Sequence, residues 1–124
     1  RSYKTPAEAN QNAGLCFIKK PAPAVAEVYL REALRLNPNL APSLLNLARI
    51  YFDAGKYVSA RGFMQRYFEQ ATETPESLLL AVRIERAIGS KKEEAMYAFR
   101  LRAKFSDSPE AKQLRARPRK ARGS

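Results

Sequence analysis

Histidine is absent from this 124-residue sequence, and cysteine occurs once, at Cys16. Without histidine there is no Ser-His-Asp or Cys-His catalytic arrangement, and none of the usual zinc sites. One cysteine excludes an intrachain disulfide. Acids are scarce: twelve against twenty-three lysines and arginines, a formal net charge of +11. The acid pair Glu93-Glu94 falls at an expected helix start, where carboxylates favour the dipole rather than chemistry. No glycine-rich phosphate loop or Walker motif occurs. Nor is there an apolar run of about 18 residues, the length a membrane helix needs. The expectation is a non-catalytic protein with no cofactor and no metal.

The positive charge is unevenly placed. Residues 112–124 hold Lys112, Arg115, Arg117, Arg119, Lys120 and Arg122 and no acid, so that +6 leaves +5 of the total +11 on residues 1–111. A basic run can bind phosphate or an acidic surface. Base stacking on a nucleic acid needs aromatics among the cations, and residues 106–124 contain none. Residues 118–124 are therefore expected to be a disordered, solvated tail, and nucleic acid is not the expected partner.

What the sequence does contain is a period. Gly14, Phe17, Ala26, Leu30 and Ala33 recur as Ala48, Tyr51, Ala60, Met64 and Tyr67, each shifted by thirty-four. That is the period of tetratricopeptide repeats, antiparallel helix pairs stacked into a solenoid. The small residues mark places where helices cross closely, and the large ones fill the volume beside them. The expected fold class is all-α: three helix-turn-helix pairs and a C-terminal capping helix. One repeat domain over 5–117 accommodates repeats at about 6–38, 41–73 and 75–107, with the cap at about 109–117.

Local signals place the helices. Thr5-Pro6-Ala7-Glu8 reads as an N-cap, an N1 proline and a capping-box glutamate, opening a helix to about Ile18. Pro21 and Pro23 open a second, to about Leu36; Asn37-Pro38-Asn39 forms the turn after it. Pro42 opens a third, stopped at Ala54-Gly55, where Gly55 suits a positive-φ C′ position. A fourth runs from about Val58 to Gln70. Thr74-Pro75-Glu76 caps a fifth that ends at Gly89. Ser90-Lys91-Lys92-Glu93 reads as another capping box, opening a sixth helix to about Lys104. Ser108-Pro109-Glu110 caps a seventh, limited by Pro118.

The third repeat departs from the pattern. Gly55 to Ala60 is five residues, but Gly89 to Ala95 is six. The sixth helix is therefore expected to follow a shift of thirty-five, with Ala95 matching Ala60 and Phe99 matching Met64. In the fifth, Val82 and Glu85 replace the small residue and the aromatic.

The two ends differ as well. The polar seventh helix suits a cap over the last pair. The first helix is apolar on more than one face, which marks it as a face for further repeats, for a partner or for a homodimer. Ala13-Gly14-Leu15-Cys16 superficially looks like a lipoprotein cleavage site, but Leu15 is not small and no charged and apolar leader precedes it. Cys16 is expected to be a packed thiol. A chain that opens at Arg1 reads as a piece of a longer protein.

In such solenoids the concave face is lined by the first helix of each pair, at repeat positions 2, 5, 9 and 12. These are Glu8, Gln11, Leu15 and Ile18, then Pro42, Leu45, Arg49 and Phe52, then Glu76, Leu79, Arg83 and Arg86. Arg49 and Arg83 are equivalent by the thirty-four shift and are expected side by side, as a guanidinium pair for a carboxylate. The plainer alternative is two solvated arginines bonded to nearby acids such as Asp53. Asn46 matches one position of the carboxylate clamp of chaperone adaptors; Gln11, Leu15, Glu76 and Leu80 do not match the others. The candidate protein-binding residues are Gln11, Asn46, Arg49, Phe52, Arg83 and Arg86. Of the clustered aromatics, Phe52 and one of Tyr67 and Phe68 are the expected exposed ones.

Several blocks are more specific than the repeat skeleton. Asn12-Ala13-Gly14-Leu15-Cys16, Lys19-Lys20-Pro21-Ala22-Pro23-Ala24, Tyr57-Val58-Ser59-Ala60-Arg61, Ser77-Leu78-Leu79-Leu80-Ala81-Val82-Arg83-Ile84 and Ser106-Asp107-Ser108-Pro109-Glu110 resemble the type IV pilus biogenesis/stability family, the PilF/PilW pilotins, over residues 3–114. The resemblance implies a periplasm-facing outer-membrane lipoprotein that assists assembly of the pilus secretin. Its partner would be that secretin or another pilus component. It also implies that this chain corresponds to the C-terminal half, without the lipid anchor and the first repeats that carry the usual secretin-contacting surface. The alternatives are a repeat adaptor of another pathway, and nucleic-acid or anionic-surface binding through the basic tail.

Overall fold

The computed structural model describes residues 5–19 and 22–116. Seven helices are present among them: α1 (Pro6–Lys19), α2 (Pro23–Leu36), α3 (Ala41–Asp53), α4 (Tyr57–Gln70), α5 (Pro75–Ile88), α6 (Lys91–Lys104) and α7 (Pro109–Ala116). No strand occurs among the described residues. The fold class is all-α, that of the tetratricopeptide-repeat solenoids. The expected basic tail, 118–124, and the last residue of the expected cap lie outside the described residues. Among the described residues no helix is long and apolar enough to cross a membrane.

The chain divides into two compact units, Arg1–Thr72 and Glu73–Ser124. In the first, α1 packs on α2, α3 packs on α4, and α2 and α1 both touch α3. In the second, α5 packs on α6, and α7 packs against both.

Several helix ends follow from local chemistry. Thr5 Oγ1 accepts from the Glu8 amide at 3.1 Å, and Glu8 Oε1 accepts from the Thr5 amide at 3.3 Å, which satisfies two donors the helix cannot. Thr74 forms the same reciprocal box with Ser77, at 3.1 and 2.9 Å. Ser108 Oγ accepts from the Ala111 amide at 3.0 Å and opens α7. Gly55 (φ 80°) and Gly89 (φ 95°) end α3 and α5 in the left-handed region, where a Cβ would be strained. The Ser90 box does not form: its side chain makes no capping bond, and Glu93 is exposed. The proximity of Glu93 and Glu94 to the positive end of α6 favours that helix start without it.

The core of the first unit explains the small residues. A Cβ built on Gly14 would stand 2.7 Å from Leu30 Cγ and Cδ2 and 3.2 Å from the Ala26 carbonyl oxygen, so only glycine lets α1 seat on α2. Ala26, Ala48 and Ala60 are fully buried. Ring contacts repeat with the period. Phe17 stacks on Tyr29 with centroids 5.6 Å apart, and their equivalents Tyr51 and Phe63 stack at 5.3 Å. Such offset pairs add to the area they bury.

The second unit corrects the expected slip. Its buried residues in α6 are Ala98 and Leu101, which lie thirty-four after Met64 and Tyr67. Ala95 and Phe99 are exposed. The shift of thirty-five is therefore wrong, and the period holds through the third pair. The residue in the Ala60 register is Glu94, whose carboxylate is held by Arg86 at 2.6 Å from α5. With Ala98 and Leu101 buried, Glu94 sits against Arg86 and the apolar Ala95 and Phe99 face out.

Cys16 is a second correction: it is exposed rather than packed. Gly14 defines the buried side of α1, and two residues further on is about 200° around a helix.

Candidate functional site

The first helix of each pair carries the expected binding positions. In the first unit α1 and α3 are joined by Gln11, whose Oε1 accepts from the Ser43 amide at 3.0 Å and from Ser43 Oγ at 2.8 Å. Ser43 is fully buried, so Gln11 satisfies polar atoms that would otherwise be costly to bury. Gln11 thus fixes α1 to α3 and has its acceptor engaged. Asn46 donates to the Pro42 carbonyl of its own helix at 2.8 Å. Leu15, Ile18, Leu45, Arg49 and Phe52 are half-buried. Together they give α1 and α3 an apolar surface with one guanidinium. Phe52 also leans on Tyr57 across the α3–α4 turn, with ring centroids 5.5 Å apart.

In the second unit Arg83 is exposed and donates from Nη2 to Gln113 Oε1 on α7. Arg86 donates from Nε to Glu94, with both side chains partly shielded. Leu79, expected on the open face, is buried instead. It lies within the run Leu78 to Val82, which is buried throughout. Among the expected exposed aromatics, Phe52 and Phe68 are half-buried and Tyr67 is buried. The structure thus brings Gln11, Asn46, Arg49 and Phe52 together in one unit and Arg83 and Arg86 in the other. Of these six, Gln11, Arg83 and Arg86 are engaged in helix-to-helix contacts.

Sequence reasoning missed a groove in the first unit, lined from α2, α3 and α4. Arg31, Tyr51, Ser59, Gly62, Phe63 and Arg66 line a space of about 290 Å³. The Tyr51 hydroxyl accepts from Arg31 Nη1 and donates to Glu27 Oε2. Burial, together with the Glu27 carboxylate, raises the Tyr51 phenol above its ordinary value; the nearby Arg31 guanidinium opposes this. Arg66 lies over the Phe63 ring, 5.7 Å from its centroid, and donates to the Pro38 carbonyl at 3.1 Å. Chemically this is an aromatic floor with two guanidiniums at its rim. No sequence signal marks it; Gly62, inside α4, has nothing within 4 Å of where its Cβ would be.

Comparison with known proteins fits this architecture. The family profile described as "Tetratricopeptide repeat" matches residues 22–84. A curated relative, the "Type IV pilus assembly protein PilF" of Pseudomonas aeruginosa, is 27% identical over 106 residues, covering 86% of this chain and 42% of its own length. The crystal structure of PilW, described as a widely conserved type IV pilus biogenesis factor, is similar with a TM-score of 0.79 at 31% identity. That match covers 91% of this chain and 52% of the other. The structure of Pseudomonas aeruginosa PilF is similar with a TM-score of 0.83 at 26% identity, covering 90% of this chain and 50% of the other. The chain thus spans about half the length, or less, of the relatives it matches.

Proposed function

This chain belongs to the tetratricopeptide repeat family, and from that premise we propose that it is a non-catalytic protein-binding scaffold that assists assembly of an outer-membrane secretin in type IV pilus biogenesis. The observation that carries the reading is similarity over 86 to 91% of the chain to proteins named for type IV pilus assembly and biogenesis. Beside the surface that the resemblance places in repeats outside this chain, the half-buried face of α1 and α3 offers a further protein contact. Leu15, Ile18, Leu45 and Phe52 offer apolar area, and Arg49 offers a charge-assisted bond to a carboxylate. In the second unit Arg83 is the exposed guanidinium, beside Gln113, while Arg86 is held by Glu94. The same proposal gives a periplasmic site of action, with the full protein held at the outer membrane by a lipid anchor. A second copy of the chain competes for the same α1 face, through Leu15.

The test is co-purification of the secretin with the full-length protein from solubilised envelopes. Phe52→Ala and Arg49→Glu are expected to lower retention by about tenfold, as loss of an aromatic or arginine anchor does. Equal retention by both variants, with unchanged helicity, overturns the assignment of this face.

A further inference from the structure

The outward face of α6 carries a feature that neither the repeat period nor the proposed inner face requires. Lys92, Ala95, Met96, Phe99, Arg102 and Ala103 are all exposed and fall within about 60° of one line along the helix. Phe99 is 66% exposed and Met96 38%. Scattered exposed apolar residues are ordinary, but these two are i,i+3 neighbours and form one surface. Ala95 and Ala103 lie four residues either side of Phe99 in the same ridge. They leave the ring standing clear, with room for a second helix to approach closely beside it.

The charge is one-sided. Lys92 and Arg102 close the two ends of the stripe, and no carboxylate lies on it. Glu94 is turned inward onto Arg86. Glu93 lies about 120° around the helix from Phe99. The equivalent positions of Phe99 in the other two pairs are Gln65 and Arg31, both exposed and polar. An exposed aromatic at this register is therefore particular to α6 and not a property of the repeat.

We propose that this stripe docks an acidic amphipathic helix of a protein partner. Phe99 and Met96 meet the apolar side of that helix, and its flanking carboxylates reach Lys92 and Arg102. From Lys92 to Arg102 the stripe runs about 15 Å, which matches roughly three turns of a partner helix. A second copy of the chain does not fit, because apposed stripes would bring like charges together at both ends. Two apolar side chains are also little area for anchoring to a lipid surface, whose binding scales with buried apolar area. The stripe shares no residue with the inner face, so the two assignments stand or fall separately.

The probe is a synthetic amphipathic peptide with leucines on one face and glutamates flanking them. Its lysine-for-glutamate counterpart is the control. Amide chemical shifts of the chain are followed in titrations at low and high salt. The glutamate peptide is expected to bind with shifts centred on residues 92–103, and the lysine peptide not to bind. Phe99→Glu, and separately Lys92→Glu with Arg102→Glu, are expected to weaken binding by about tenfold or more with unchanged circular dichroism. Shifts centred elsewhere, or undiminished binding by Phe99→Glu, overturn the proposal. So does absence of peptide binding together with Phe99-dependent binding to phosphatidylglycerol vesicles, which assigns the stripe to a lipid surface. A sedimenting dimer abolished by Phe99→Glu also overturns it, in favour of self-association.

Discussion

Gly14 and Gly62 both lie inside helices, yet a methyl group at each has opposite consequences. At Gly14 the Cβ would meet Leu30 at 2.7 Å, and Leu30 is fully buried and has nowhere to swing. Gly14→Ala is expected to cost about 1–3 kcal/mol through overpacking. At Gly62 the space is open, so Gly62→Ala is expected to add about 0.5–1 kcal/mol by helix propensity alone. Chemical denaturation of the two variants checks both signs. Tyr51 gives a pH dependence at the same scale. Its phenol is raised in the folded state, chiefly by burial. A raised pKa means that this contribution is complete below the unfolded value near 10.0 and is lost as pH rises through the folded one. Stability followed across that alkaline range is expected to fall, and the fall attributable to this group to vanish in Tyr51→Phe. At neutral pH that variant is expected to cost about 1.5–3 kcal/mol, the worth of a hydrogen bond to a charged group.

At the scale of the helix, α6 offers the clearest test, because two registers compete for it. In the structure Leu101 is fully buried and Phe99 faces solvent. Leu101→Ala is expected to cost about 2–5 kcal/mol. Phe99→Glu is expected to change stability by no more than about 0.5 kcal/mol. The reverse pattern in thermal or denaturant unfolding would restore the thirty-five shift. The starts and stops of the helices were legible in the sequence because proline, glycine and hydroxyl residues act within a few residues of where they stand. The rotation of α6 about its axis was not. Ala95 and Phe99 have the spacing of Ala60 and Met64, so apolar identity pointed to the wrong side. The rotation follows the burial of Ala98 and Leu101, the thirty-four equivalents of Met64 and Tyr67, and Glu94 is accommodated by its pairing with Arg86. The candidate face on α1 and α3 was legible to the same degree. Arg49 and Phe52 are half-buried on α3, and Gln11 is bonded to Ser43, thirty-two residues away. The α2–α4 groove escaped notice because its cations come from helices the repeat pattern does not mark for binding.

For the whole molecule, the two units present separate chemistries: a partly apolar face with Arg49 on α1 and α3, and a basic-ended aromatic stripe on α6. Self-association through α1 is expected to appear as a dimer that grows with concentration in sedimentation and is lost in Leu15→Glu; monomer alone at high concentration contradicts it. The larger claim is that the protein serves secretin assembly in pilus biogenesis by binding rather than by catalysis. The most direct measurement is the amount of secretin multimer in envelopes of a strain lacking the full-length protein. The account predicts a marked loss of multimers and of piliation, restored by the wild-type protein and not by Phe52→Ala with Arg49→Glu. Normal secretin multimers in the deletion strain would contradict it.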